Sequence, residues 1–278
     1  MSARTPLVCG FGDNVVDRYP DLGMEYPGGN ACNVAVFARR SDATASYIGV
    51  VGSDASARHL LDSLSAEGVD VSRVRTVAGG NSHATVKLDD HGNREFLAWE
   101  PIEEPPPLDG EALELLAAAD LVHTGHASFT EALLPALAER TRVSFDFSYK
   151  DLAYAAPLLP AVWAATFSGA TLSEDEARDL LATVRGAGGP EVVLVTRGAA
   201  GALVAVGDLV HHQAAAPAAV VDTLGAGDAF TARLLVGLLR DEPLASAAQA
   251  AAEMAAGVCE SLGAFGRARA LDSREVSS

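Results

Sequence analysis

Lysine is almost absent from this chain of 278 residues, occurring only at Lys87 and Lys150. A phosphate loop of the Gly-x-x-x-x-Gly-Lys-Ser/Thr type is therefore excluded, because no Gly-Lys pair exists. Cysteine is scarce too: Cys9, Cys32 and Cys259 form no close pair and no zinc-ligand spacing. An odd, widely spaced set argues against a disulfide framework and for a reduced, cytoplasmic setting. No uninterrupted apolar run of about 18 residues occurs, so no membrane-spanning helix is expected. Asp13 and Asp17 interrupt any leader-like stretch at the N-terminus. Positive charge is in deficit, leaving a net charge of −17 and a pI of about 4.7. Such a surface repels nucleic acid and anionic membranes, and neither is expected as a partner. A nucleotide site on it needs its own local positive potential or a divalent ion, while the acidity itself also serves solubility.

What is present reads as packed α/β structure. Hydrophobic residues make up 49% and charged residues 21%, which excludes general disorder. Leu7–Gly12 reads as a buried strand, Asn30–Arg40 as a helix and Ala45–Val51 as a strand. Asp54 caps a helix running to Glu67, with Leu60, Leu61 and Leu64 facing inward. His83–Leu88 and Arg94–Trp99 read as a hairpin with its tip at Asp89–Asn93, placed as a lid rather than a central strand. The proline-rich stretch Pro101–Pro107 leads back to the core. From Gly110 onward helices and strands alternate: helix Ala112–Ala119, strand Leu121–Thr124, helix Glu131–Arg140, strand Val143–Phe147, helix Glu174–Arg185 and strand Val192–Thr196. A late hairpin spans Gly201–Val206 and Leu209–Gln213. Two helices, Asp228–Arg240 and Leu244–Glu260, close the chain. This alternation implies a mainly parallel sheet with ligands at the carboxyl ends of its strands.

The strongest chemical signal is Asp222-Thr223-Leu224-Gly225-Ala226-Gly227-Asp228. A strand-like run, Ala218–Val221, leads into it and a helix leaves it. Small residues at 225–227 let a ligand approach backbone amides that have no helical partner, where the helix dipole favours an anion. Asp228, beside that anion hole, is placed to accept a proton from an attacking hydroxyl. The same residues also suit a glycine-rich loop with Asp228 as a plain helix cap. A dinucleotide fold fits less well, because its Gly-x-Gly-x-x-Gly belongs after the first strand and position 230 is Phe.

Asp222–Asp228 resembles the C-terminal signature of the PfkB (ribokinase-like) carbohydrate kinases. Gly28-Gly29-Asn30-Ala31-Cys32-Asn33 resembles that family's N-terminal signature, about 195 residues earlier. The resemblance implies a three-layer α/β/α sandwich with a small β lid, as one domain over residues 1–278 with lid strands around 13–27 and 83–100. It implies ATP and Mg²⁺, with Asp228 as base and Gly225, Ala226 and Gly227 as anion hole. It puts Asp17, Gly28, Gly29, Asn30 and Asn33 on the sugar hydroxyls, and asparagine and aspartate suit a polyol because they donate and accept. Asn30 also suits a helix N-cap, and Asp17 a surface turn. Thr196, Gly198, Gly201 and Thr223 fall to the nucleotide, with Arg197 in the same turn. Glu176 falls to a metal-bound water. Ser173 stands where the family usually has asparagine, and Ser173 with Glu176 is also a capping box. Asp222 is the position for K⁺. Within the family, Gly12–Pro20, Phe145-Asp146-Phe147-Ser148 and Gly263-Ala264-Phe265 resemble the bacterial fructoselysine 6-kinases (fructosamine kinases). That implies a cationic sugar-amine acceptor, with Asp13 and Glu100 as acids for its amine and His123 and His126 near the pocket. Other PfkB sugar or nucleoside kinases, a non-catalytic sensor on the same scaffold and a dinucleotide-dependent oxidoreductase are the alternatives. A homodimer joined through the lid is expected as well.

Overall fold

The structure, a computed structural model, describes residues 4–88 and 94–271. The hairpin tip expected at Asp89–Asn93 lies outside the described residues. The strands are β1 (Leu7–Gly12), β2 (Val15–Tyr19), β3 (Met24–Gly28), β4 (Thr44–Val51), β5 (Arg75–Thr76), β6 (His83–Leu88), β7 (Arg94–Glu100), β8 (Leu121–Gly125), β9 (Arg142–Ser148), β10 (Ala164–Ser168), β11 (Val192–Thr196), β12 (Ala202–Val206), β13 (Leu209–Gln213) and β14 (Arg269–Ala270). The α-helices are α1 (Asn30–Arg40), α2 (Ala55–Ala66), α3 (Gly110–Ala118), α4 (Leu134–Ala138), α5 (Leu152–Ala155), α6 (Glu174–Gly186), α7 (Ala226–Leu239) and α8 (Leu244–Cys259).

Nine strands form the central sheet, in the order β13-β12-β11-β10-β9-β8-β1-β4-β5. Its pairs are parallel except β11–β12 and β12–β13. Side chains alternate across it with a period of two. On β1, Cys9 and Phe11 pack with Leu116 of α3 and with Leu134 and Leu137 of α4 on one face. Val8 packs with Leu235 and Val236 of α7 on the other. Burial on both faces is what a parallel sheet requires. A second sheet, ordered β14-β3-β2-β6-β7, is the lid.

Three expectations change. Ala218–Val221 is not a strand: Val220 and Val221 are exposed, and the Val221 and Asp222 amides donate to the Cys259 carbonyl at the end of α8. Its apolar character had nowhere to be buried. The helix expected over Glu131–Arg140 divides into a single 3₁₀ turn, Glu131–Leu133, and the short α4, which begins at the residue before Pro135. Strand β10 was not expected at all, because Ala-Ala-Thr-Phe-Ser carries little β-branched bulk.

Candidate active site

Two helix N-termini meet at the carboxyl end of β1. Gly29 precedes α1 at φ 104° and Gly225 precedes α7 at φ 76°, a region that side chains disfavour. A Cβ at 29 would lie 2.5 Å from Asn14 Cα, and one at 225 would lie 2.5 Å from Ala264 Cβ. Asn30 and Asn33, three residues apart, share one face of α1. Both reach Asp228 in the first turn of α7. Asn30 Nδ2 donates to Asp228 Oδ1 at 2.8 Å, and Asn33 Nδ2 donates to Asp228 Oδ2 at 2.7 Å.

Behind Asn30 lies a polar layer that the sheet supplies. On β9, Val143, Phe145 and Phe147 enter the core beneath α3–α6. Alternation turns Ser144 and Asp146 to the α1 side, and His123 of β8 pairs in register with Ser144. Asn30 Nδ2 also donates to Asp146 Oδ2 at 3.0 Å. Asn30 Oδ1 accepts from His123 Nε2 at 2.9 Å, which leaves His123 Nδ1 to accept from Ser144 Oγ at 3.1 Å. Burial lowers His123 to about 3, so the ring stays neutral. Asp146 moves the other way, up to about 7. Desolvation is the main cause and the Asp228 charge is next, against the Ser148 N–H that donates to Oδ1 at 2.8 Å.

On the lid side, buried Asp17 directs Oδ2 to within 2.8 Å of where a Cβ on Gly28 would stand, and Asn33 Oδ1 lies 3.7 Å from the same point. Asn33 Oδ1 is buried without a hydrogen-bond partner among the described residues. Gly28 thus leaves a small polar niche with an unmet acceptor. Asp13 accepts from the Asn30 and Ala31 amides and from Ser128 Oγ, capping α1 from outside the helix. Glu100 is exposed, with His83 Nε2 at 3.6 Å. A cleft beside these groups is lined by Asp13, Ser82, Trp99, Glu104, Ser128 and Phe129. His126 sits edge-on to Tyr149, in the segments that follow β8 and β9.

The loop before α7 is braced by Asp222, which is 0% exposed. Its carboxylate accepts from Leu224 N at 2.9 Å, Gly263 N at 3.0 Å and Tyr19 Oη at 2.8 Å. The Thr223 carbonyl accepts from Ala226 N. The first regular bond of α7 is Ala229 N to Gly225 O, so the Gly227 amide precedes it, where helices offer donors outward. Two strands beyond β9, Thr196 ends β11 and Gly198 and Gly201 bracket the next turn. Arg197 Nε in that turn is buried without a hydrogen-bond partner among the described residues. Ser173 and Glu176 form the capping box at the start of α6. Glu176 is held below the usual carboxylate range by the Ser173 backbone and hydroxyl donors.

The family described as pfkB family carbohydrate kinase matches residues 16–268. The chain belongs to this family. The fructosamine kinase FrlD of Bacillus subtilis (strain 168) is 42% identical over 260 residues, which is 92% of this chain and 91% of the relative. Fructoselysine 6-kinase of Escherichia coli (strain K12) is 37% identical, over 82% and 87% of the two chains. Arabidopsis thaliana ribokinase, solved with ribose and ATP, superposes with a TM-score of 0.79 at 21% identity over 98% of both chains, which shows the fold. As a pfkB carbohydrate kinase the protein uses ATP and a divalent metal. The groups present fit a polyphosphate: the helix start at α7 and a buried guanidinium nitrogen at Arg197 with no partner among the described residues. No helix among the described residues is long and apolar enough to cross a membrane. Motif reading picks out Phe145–Ser148 but gives Asp146 within it no role. Its signal was there, as a charged residue between two phenylalanines in a strand buried on both faces.

Proposed function

We propose that this carbohydrate kinase transfers the γ-phosphoryl group of ATP to the 6-hydroxyl of fructoselysine or a related fructosamine. The observation that carries the chemistry is the Asp228 carboxylate, gripped by Asn30 and Asn33 where two helix N-termini meet. Similarity to a fructosamine kinase over nine-tenths of both chains supports the acceptor class.

In this reading the acceptor lies under the lid, with its hydroxyls on Asp17, Asn30 and Asn33 and its ring against the backbone of Gly28 and Gly29. The unmet Asn33 Oδ1 supports a hydroxyl donor there. Asp228 takes the proton of the attacking hydroxyl at its carboxylate. The amides of Gly225, Ala226 and Gly227 bind the transferring group. Thr196, Gly198, Gly201 and Thr223 hold the nucleotide, and Glu176 orders water around the metal. Mg²⁺, when bound, neutralises charge on the phosphate oxygens. K⁺ at Asp222 would share a carboxylate that already accepts three donors, and activity in K⁺ against Na⁺ buffer tests it. In the same reading Asp13, which lines the cleft, and Glu100, at the end of β7, are the acids for the substrate amine. The whole chain, 1–278, acts as one kinase domain in the cytoplasm. A homodimer through the lid is supported by Leu97 and Trp99, 56% and 51% exposed on its last strand; a monomeric mass in light scattering would remove it.

The test is ADP release with Mg-ATP against fructoselysine, other fructosamines, fructose, ribose and adenosine. Turnover confined to fructosamines is the expected result. Preference for a free sugar or nucleoside would discard the acceptor and keep the kinase.

A further inference from the structure

We propose that Asp146 is a positioning residue of the phosphoryl-transfer centre, holding the Asn30 amide so that it points at Asp228. The inference rests on Asp228 being the base. A primary amide has two protons, and Asn30 gives them to Asp146 Oδ2 at 3.0 Å and Asp228 Oδ1 at 2.8 Å. Its oxygen is taken by His123. Both protons of this amide are therefore assigned, and only the second lone pair of its oxygen is left for a sugar hydroxyl. Removing Asp146 frees one edge and lets the amide rotate away from Asp228.

The backbone is shaped around this contact. The β9–β10 register breaks between Thr166 and Phe167, so that Asp146 pairs with Thr166 and Ser148 with Phe167, with Phe147 skipped. An extra residue of this kind re-aims its neighbours and is frequent beside active sites. Ser148 then sits at φ 53°, the left-handed region that a serine rarely adopts, and its amide donates to Asp146 Oδ1 at 2.8 Å. A bulge and a left-handed serine cost free energy, and here they fix one carboxylate. The charged and titratable groups around it are Asp228 on α7 and Asp13 after β1, with His126 against the Asp146 backbone and His123 on the far side of the Asn30 amide.

The experiment compares Asp146→Ala, Asp146→Asn and Asp228→Asn with wild type, using the acceptor the wild type turns over best. Asp146→Ala should lose roughly tenfold or more in kcat, with KM for ATP and acceptor within about twofold. Asp146→Asn keeps an acceptor oxygen for Asn30, gives up the one that takes the Ser148 amide, and should restore kcat to within about threefold of wild type. Wild-type kcat in Asp146→Ala overturns the proposal, as does a defect confined to KM, which would make Asp146 a substrate ligand. Equal impairment of the Ala and Asn variants overturns it too. Asp228→Asn separates the two readings: if it keeps turnover the base assignment falls, whereas if it alone is dead only Asp146 falls. A readout needing no acceptor is the side-chain amide pair of Asn30 in ¹H–¹⁵N spectra, assigned by its loss in Asn30→Asp. It should shift in Asp146→Ala, and an unmoved pair overturns the proposal.

Discussion

One amide separates Asp228 from Asp146, yet the two carboxylates are built for different work. Asp228 opens a helix beside outward amides and takes donors from Asn30 and Asn33. Asp228→Asn keeps the size and one acceptor oxygen but cannot take a proton. We expect kcat to fall at least roughly 100-fold with a near-native melting curve, and full turnover would end the base assignment. Asp146 carries a pH signature instead. Its folded value is about 7, whereas an unfolded aspartate titrates near ~3.9. Between these values the folded state binds more protons than the unfolded one, so the stabilisation is complete below the lower value and is lost as pH rises through the upper one. His123 has the opposite sign: it is lowered to about 3, so its contribution is lost as pH falls from ~6.5. The variant isolates the first group. Asp146→Asn should gain melting temperature relative to wild type between pH 5 and pH 8, and a constant difference would refute the shift. Asp228 was legible in the sequence because its glycines repeat a known spacing. Asp146 was not, because its meaning depends on which face of β9 it occupies and on a bulge that no spacing announces.

Elements were readable where one physical pattern decided them. Helix α1 and strand β11 end where apolar periodicity and glycine punctuation place them. Asp54, expected as a cap, accepts from Ala57 N at 2.8 Å at the start of α2. Reading failed where tertiary context decided, as at exposed Val220 and Val221 and at the alanine-rich β10. The α7 N-terminus depends on both levels. Its helix is ordinary, but its start requires Gly225 in a left-handed turn against Ala264. Gly225→Ala adds a conformational cost of about 1–2 kcal/mol and a collision with Ala264. We expect melting to drop by about 4 °C or more. KM for ATP should rise more than KM for the acceptor, because the distorted amides lie on the phosphate side. A rise confined to the acceptor would place the anion hole elsewhere.

Across the whole molecule, the segment after α8 ties the lid to the core. Gly263 donates to Asp222, which also takes Tyr19 Oη from lid strand β2, so the loop before α7 and the lid share one buried carboxylate. A few residues later, Arg269 on β14 reaches Glu25 of β3, which is 0% exposed. Arg269 Nε donates to Glu25 Oε1 at 2.7 Å, and Arg269 Nη2 and Glu25 Oε2 both bond Ser56 Oγ of α2 at 3.1 Å. Arg18 Nε lies 3.7 Å from the same carboxylate but makes no hydrogen bond. A buried carboxylate that loses its main cation is costly, by about 3 kcal/mol. Arg269→Ala should therefore lower the melting temperature by roughly 6–12 °C. The same strand β3 ends at Gly28, in the niche with Asp17 and Asn33. Loosening β3 should accordingly raise KM for the acceptor more than KM for ATP. Arg269→Lys keeps the charge without the planar fork and should fall between the two. If Arg269→Ala melts like wild type and binds acceptor as well, the lid is held by its β2–Asp222 joint alone.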